Sequence, residues 1–158
     1  MSNPPEFDKA FRAARSLAVM LGASLPVYLL LEEAVRGRYR PFLGFAGLRD
    51  RAGLRLGGFA CAVAAVVALR LLHGRLVARA AKAAGPAAAV RSLHRAAVVG
   101  ATLAGFPALA GLGLFLAAGL NTDFYLLEFV SGVLTFMYFP RAAAWESVLE
   151  TRRPVCPL

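Results

Sequence analysis

Three carboxylates stand in or beside apolar stretches of this chain. Glu32 and Glu33 close the run SLAVMLGASLPVYLLLEEAV, and Glu128 interrupts NTDFYLLEFVSGVLTFMYFPR. An ionisable group inside hydrocarbon is costly, so it pairs with a counter-charge, reaches the interface, or binds an ion or substrate. Glu128 falls four residues into a helix predicted to begin near Phe124, about 6 Å deep at 1.5 Å per residue. At that depth it is expected to reach the interface or a neighbouring charge. Arg36 and Arg38 follow closely enough to pair with Glu32 and Glu33. The expectation is a set of outer-leaflet carboxylates neutralised by arginine. Ion binding by Glu128, Glu32 and Glu33 is the alternative that the same residue types allow.

The other chemically capable side chains form no constellation. Arg70 lies near the inner end of an apolar run, where its long stem lets the guanidinium reach the headgroups. His73 and His94 flank the same boundary without metal-ligand spacing to an acid or cysteine. Cys61 sits in an apolar run and Cys156 in the tail RRPVCPL, so they read as a small core residue and a free thiol. There is no nucleophile–base pair, glycine-rich phosphate loop or HExxH. The expectation is a non-enzymatic protein with no metal and no cofactor.

What positions these residues is a series of apolar blocks. Hydrophobic residues make up 59% of the 158 and the mean hydropathy is +0.62, well above the roughly 45–50% apolar content of a soluble domain. Blocks of about 20 residues between basic connectors are what a bilayer core roughly 30 Å thick selects. The reading is one all-α membrane domain over residues 1–158, with four transmembrane helices near 16–35, 54–72, 96–120 and 124–140. A basic helical connector covers 73–95 and a tail 141–158. The acids and bases of the first fifteen residues leave no removable signal peptide.

The net charge of +9 and pI near 10.8 invite a nucleic-acid reading. Placement opposes it, because the basic residues flank the apolar blocks and do not share a face with exposed aromatics. Lysine and arginine number three in the N-terminal arm, six from Arg70 to Arg95 and three at the C-terminal end. The other side holds six from Arg36 to Arg55 and none in the NTD turn. The excess places both termini and the connector in the cytoplasm, in a bacterial inner membrane. ARAAKAA extends the second helix as far as Gly85-Pro86, and AAAVRSLHRA restarts a helix beyond it. This segment reads as a solvated projection that attracts anionic lipids, or as a docking surface for a cytoplasmic partner. FPRAAAWESVLE predicts a short amphipathic helix on the membrane surface, with Trp145, Val148 and Leu149 on one side.

Small residues recur every four positions: Gly53, Gly57, Cys61 and Ala65 on the second helix, and Gly100, Ala104 and Ala108 on the third. They let helix backbones approach closely where van der Waals packing replaces the hydrophobic effect. A tight bundle and contact between protomers would use the same surfaces. The first and third helices each carry a proline near mid-span, Pro26 in GASLP and Pro107 in LAGFP. That pattern reads either as a duplicated hairpin or as coincidence, since proline is common in membrane helices.

The duplicated hairpin with small-residue helices resembles the proteolipid (c-type) rotor subunits of ATP synthases. The stretch FPALAGLGLFLAAGLNTDFYL…FMYFPRAAAWE also resembles uncharacterised bacterial four-helix membrane proteins. The resemblance covers mainly 96–146, and in the rotor family it implies a mid-bilayer carboxylate that binds a proton or sodium ion. In this chain the positions beside Pro107 are Phe106 and Ala108. Two functions follow as expectations. One is a structural or accessory subunit that works by helix packing, in a homo-oligomer or with a membrane-complex partner. The other is a proteolipid-like ion-translocating subunit.

Overall fold

A computed structural model describes residues 5–46 and 50–150. Cys156 and the rest of the tail from 151 onward lie outside the described residues. The described chain forms five helices: α1 (Pro5–Arg38), α2 (Arg51–Lys82), α3 (Pro86–Ala118), α4 (Asn121–Met137) and α5 (Ala142–Glu150). α1, α2 and α3 are long and apolar enough to cross a membrane. α4, at 17 residues, is about 25 Å long at 1.5 Å per residue. It falls short of the bilayer core by roughly a turn, so the expected four spans become three long helices and one short one.

Local chemistry accounts for most of the boundaries. Asp50 caps α2, its carboxylate accepting from the Gly53 N–H at 2.8 Å. α2 runs through the predicted projection to Lys82, and Pro86 opens α3, where its missing N–H is no loss. α3 ends at Gly119 in the left-handed conformation (φ 69°), whose N–H bonds the Phe115 carbonyl at 2.7 Å. The loop after α1 finishes the job: Phe45 N–H donates to the Leu116 carbonyl at 2.8 Å and Ala46 N–H to that of Ala117 at 3.2 Å. Gly44 (φ 91°) has its Cα so close to the Ala117 carbonyl and the Ala118 backbone that a Cβ would not fit. The last carbonyls of α3 are thereby satisfied within the chain.

Of the two expected hairpins, α3–α4 is present and α1–α2 is not. α3 is the hub: it packs along α2, α4 and α1, whereas α1 and α2 do not form one of the principal helix pairs. α1 runs parallel to α3, with Ala10 beside His94 at one end and Gly44 beside Ala117 at the other. α2 and α4 run antiparallel to it, shown by Ser92 against Leu76 but Leu114 against Gly58, and by Gly111 against Phe124 but Ala108 against Ser131. Composition explains the hub. α3 presents alanine, glycine and Pro107 on most of its circumference, so three neighbours can approach it. Its buried set includes Ala96, Gly100, Ala104, Ala108 and Gly111.

The predicted projection and surface helix are corrected as well. α1 begins at Pro5, well before the expected residue 16, and its first turns pack against the 73–95 region and α5. Phe7, Ala14, Ala80, Val90, Leu93, Ala97 and Trp145 form one buried cluster. Trp145 meets Phe7 and Phe11 edge-on, with ring centroids 5.9 and 5.4 Å away. The apolar side of α5 therefore faces protein rather than lipid. The basic side chains Arg75, Arg79, Lys82, Arg91 and Arg95 remain on the outside of this cap.

Candidate functional site

α1 and α4 meet along a seam that carries all three predicted carboxylates. The face of α1 turned to α4 follows helical spacing: Gly22, Leu25 and Pro26, Leu29, then Glu32 and Glu33. Opposite it, from the α4 end inward, lie Thr135, Gly132, Phe129 and Glu128, and Tyr125. The Gly22 Cα faces Thr135 closely, a Cβ there standing 3.5 Å from Thr135 Cγ2. Between them runs a groove of about 350 Å³, lined by Leu25, Pro26, Leu29, Tyr125, Glu128 and Phe129, with Gly132 at its end.

At the α1 C-terminal end of the seam the expectation of arginine-neutralised carboxylates is met in part. Arg36 Nη2 donates to both oxygens of Glu33 at 2.7 and 2.9 Å. Arg38 makes no ion pair among the described residues. Glu32 is completely buried and its principal partner is a phenol: Tyr125 Oη donates to Glu32 Oε2 at 2.7 Å. The same hydroxyl lies 3.1 Å from Glu33 Oε1. With a single proton it serves one carboxylate at a time, and the shorter contact is the stronger. Glu32 Oε1 sits 4.0 Å from Arg36 Nε, an electrostatic contact too long for a hydrogen bond, which leaves that oxygen unbonded.

Glu128 is the correction that matters most. α4 starts at Asn121, so Glu128 lies seven residues in, about 10 Å along the axis. It is only 6% exposed, and neither of its oxygens has a hydrogen-bond partner among the described residues. It pairs with no arginine among the described residues. The helix starts three residues before the expected Phe124, and Leu25, Pro26 and Leu29, which line the groove with Glu128, are remote from it in sequence. Buried polar groups are nearly always bonded, so a fully unpaired carboxyl marks this seam as the candidate site. Pro26 adds a second irregularity beside it, because its ring nitrogen cannot donate to the Gly22 carbonyl one turn earlier.

Two partners of the site were not singled out from sequence. Asp123, only 4% exposed, takes a two-pronged ion pair from Arg55, with Nε to Oδ2 and Nη2 to Oδ1 both 2.9 Å. The charged residue of the NTD turn was the available signal. Ser131 is wholly buried and its Oγ accepts from the Ala108 N–H at 2.8 Å, next to the break that Pro107 makes in α3.

The small-residue stripes divide. Ala65, Gly100, Ala104 and Ala108 are buried in the bundle. Gly53, Gly57 and Cys61 are exposed, contrary to a stripe packed throughout. Among the described residues, nothing outside its own stretch of helix lies within 4 Å of a Cβ placed on Gly57. These three residues line a groove of about 560 Å³ whose opposite wall is Phe106, Ala110 and Gly113 of α3. Of the remaining candidates, Arg70 is exposed. His94 Nδ1 lies 3.2 Å from the Ala10 carbonyl, holding α1 to α3, and His73 packs edge-on against Tyr138. Among the described residues no group of His, Cys, Asp and Glu has the arrangement of a metal site.

The class that fold and site define is an all-helical bundle with three helices long and apolar enough to cross a membrane. Comparison with protein-family models, curated proteins and solved structures finds no match to this chain.

Proposed function

We propose that the chain is a non-enzymatic integral protein of a bacterial inner membrane that acts by association, as a structural or accessory subunit. The observation that supports this reading is the half-used small-residue stripe. Ala65 and the α3 stripe are consumed inside the bundle, while Gly53, Gly57 and Cys61 remain open on a groove that a further helix would fit. Such a helix comes from a second copy or from a membrane-complex partner. The basic cap attracts anionic lipid and orients the bundle with its termini inward. Cys61 is a free thiol inside the groove, so it reports directly on association. In a Cys156→Ser background, mild oxidation or a short bismaleimide in native membranes should trap a dimer or a partner adduct through Cys61. Gly57→Leu should abolish the adduct by filling the groove. A strictly monomeric species in both backgrounds overturns the reading.

A second reading is favoured by one observation, the burial of Glu128 without a partner. In it the chain is a proteolipid-like ion-translocating subunit, and Glu128 carries the ion with Glu32 and Glu33 towards the surface. The carbodiimide that modifies membrane-buried protonated carboxyls should then label Glu128 and lose that label in Glu128→Gln. No labelling of Glu128, Glu32 or Glu33 sinks this second reading and leaves the first untouched.

A further inference from the structure

At the end of the bundle opposite the Glu32–Tyr125 contact lies a cavity of about 470 Å³. Its floor is apolar, made by Val77 of α2 and by Leu93, Ala96 and Ala97 of α3. The chain from Met137 to Arg141 and the inner side of α5 close it. The polar groups on its wall include His73, Tyr138, Arg141 and Ser147, and none of the lining residues is an acid. Arg141 forms no ion pair among the described residues. Its guanidinium carbon stands 5.9 Å over the Phe136 ring, at the junction of α4 with α5.

That position is informative. Phe136, Met137 and Val133 are 74%, 58% and 43% exposed and share one face of α4 by their spacing. Met137 is also a wall of the cavity. Met137 thus joins the cavity wall to an exposed apolar face of α4, where the helix gives way to Pro140 and α5. A guanidinium there, with no carboxylate paired to it among the described residues, is suited to a phosphate. The first turn of α5 starts at the same place, so the positive end of its dipole adds to the field.

We propose that this cavity binds the headgroup of an anionic membrane phospholipid. Arg141 holds the phosphate, Tyr138 and His73 flank the headgroup, and an acyl chain lies along Val133, Phe136 and Met137. The arrangement differs from general attraction to the basic cap, because it requires one cation and one enclosed volume rather than the sum of surface charge.

The test uses the full chain in neutral detergent with mixed phosphatidylglycerol and phosphatidylcholine micelles, read by native mass spectrometry of retained lipid. The expected result is selective retention of one phosphatidylglycerol. Arg141→Gln should lower that retention about fivefold or more, the scale of one basic residue near a membrane surface. Ala144→Trp, made at an exposed position on the cavity wall, should do the same by filling the volume. Arg91→Gln, an exposed α3 arginine outside the cavity, should leave retention unchanged. Unaltered thermal midpoints for Arg141→Gln and Arg91→Gln certify folding, and that pair decides the matter if Ala144→Trp fails to fold. Equal losses in the two arginine variants overturn the proposal in favour of diffuse surface charge. Equal retention of both lipids overturns it as well. So does displacement of the lipid by millimolar inorganic phosphate, which would mark a free-phosphate site instead.

Discussion

The hydroxyl of Tyr125 donates at 2.7 Å to a carboxylate oxygen of Glu32 that no solvent reaches. This contact ties α4 to α1, a pair that otherwise meets over few residues. Tyr125→Phe leaves the Glu32 carboxylate without its strongest donor, a loss on the order of 1–3 kcal/mol. Thermal unfolding in detergent should show that destabilisation. Adding Glu32→Leu should recover part of it, since both partners are then apolar. Strict additivity of the two single effects would show that the contact carries no coupling.

Glu128 should behave in the opposite way. No donor is lost when it is replaced, so Glu128→Leu removes only the penalty of a buried unpaired group. The variant is expected to be as stable as the parent, or more stable by about 1–3 kcal/mol. Glu128→Gln should change little, because its amide is equally unpaired. Marked destabilisation by leucine together with tolerance of glutamine would reveal a hidden partner, and chemical denaturation distinguishes these outcomes.

The Arg55–Asp123 pair joins the start of α2 to the start of α4. Arg55 is more than half exposed and Asp123 is almost wholly buried, so water screens one side only. Arg55→Ala should destabilise more than an exposed pair's roughly 1 kcal/mol or less, because the buried carboxylate is left behind. Asp123→Ala should cost less than Arg55→Ala does, since the arginine can turn to water. The reverse order, read from unfolding midpoints, would show that Asp123 holds the α4 start by another route.

Trp145 is the sole tryptophan and is 5% exposed, packed on Phe7 and Phe11. Its fluorescence should be blue-shifted in the folded protein. Phe7→Ala, which takes away an aromatic wall worth about 3–5 kcal/mol in a well-packed core, should shift the emission red and open α5 to protease. An unchanged spectrum would mean that α5 is held by α2 and α3 alone.

Orientation is tested independently of function. Cysteines introduced at Ala83 and Thr151 in a background without Cys61 and Cys156 should resist an impermeant thiol reagent in intact cells, and one at Thr122 should react. The opposite pattern would invert the assignment made from the lysine and arginine distribution.

Some features follow from sequence because their causes are local. The break at Gly85-Pro86 needs only proline's geometry, and Arg36 reaches Glu33 because three residues make nearly one helical turn. The apolar length of α1, α2 and α3 is likewise a sum over neighbouring residues. The end of α3 near Leu120 is local as well, but NTD, expected as a turn, is the first turn of α4, and its aspartate found its arginine 68 positions away. What tertiary structure decided is which faces meet. α3 became the hub because its small residues sit on nearly every side, and one-dimensional spacing cannot say which neighbour takes which side. The same holds for Glu128. Its depth depends on where α4 begins, and its isolation depends on Leu25, Pro26 and Leu29, about a hundred residues earlier in the chain. A carboxyl's partners are set by the surfaces that close over it, and those surfaces exist only once the helices have packed.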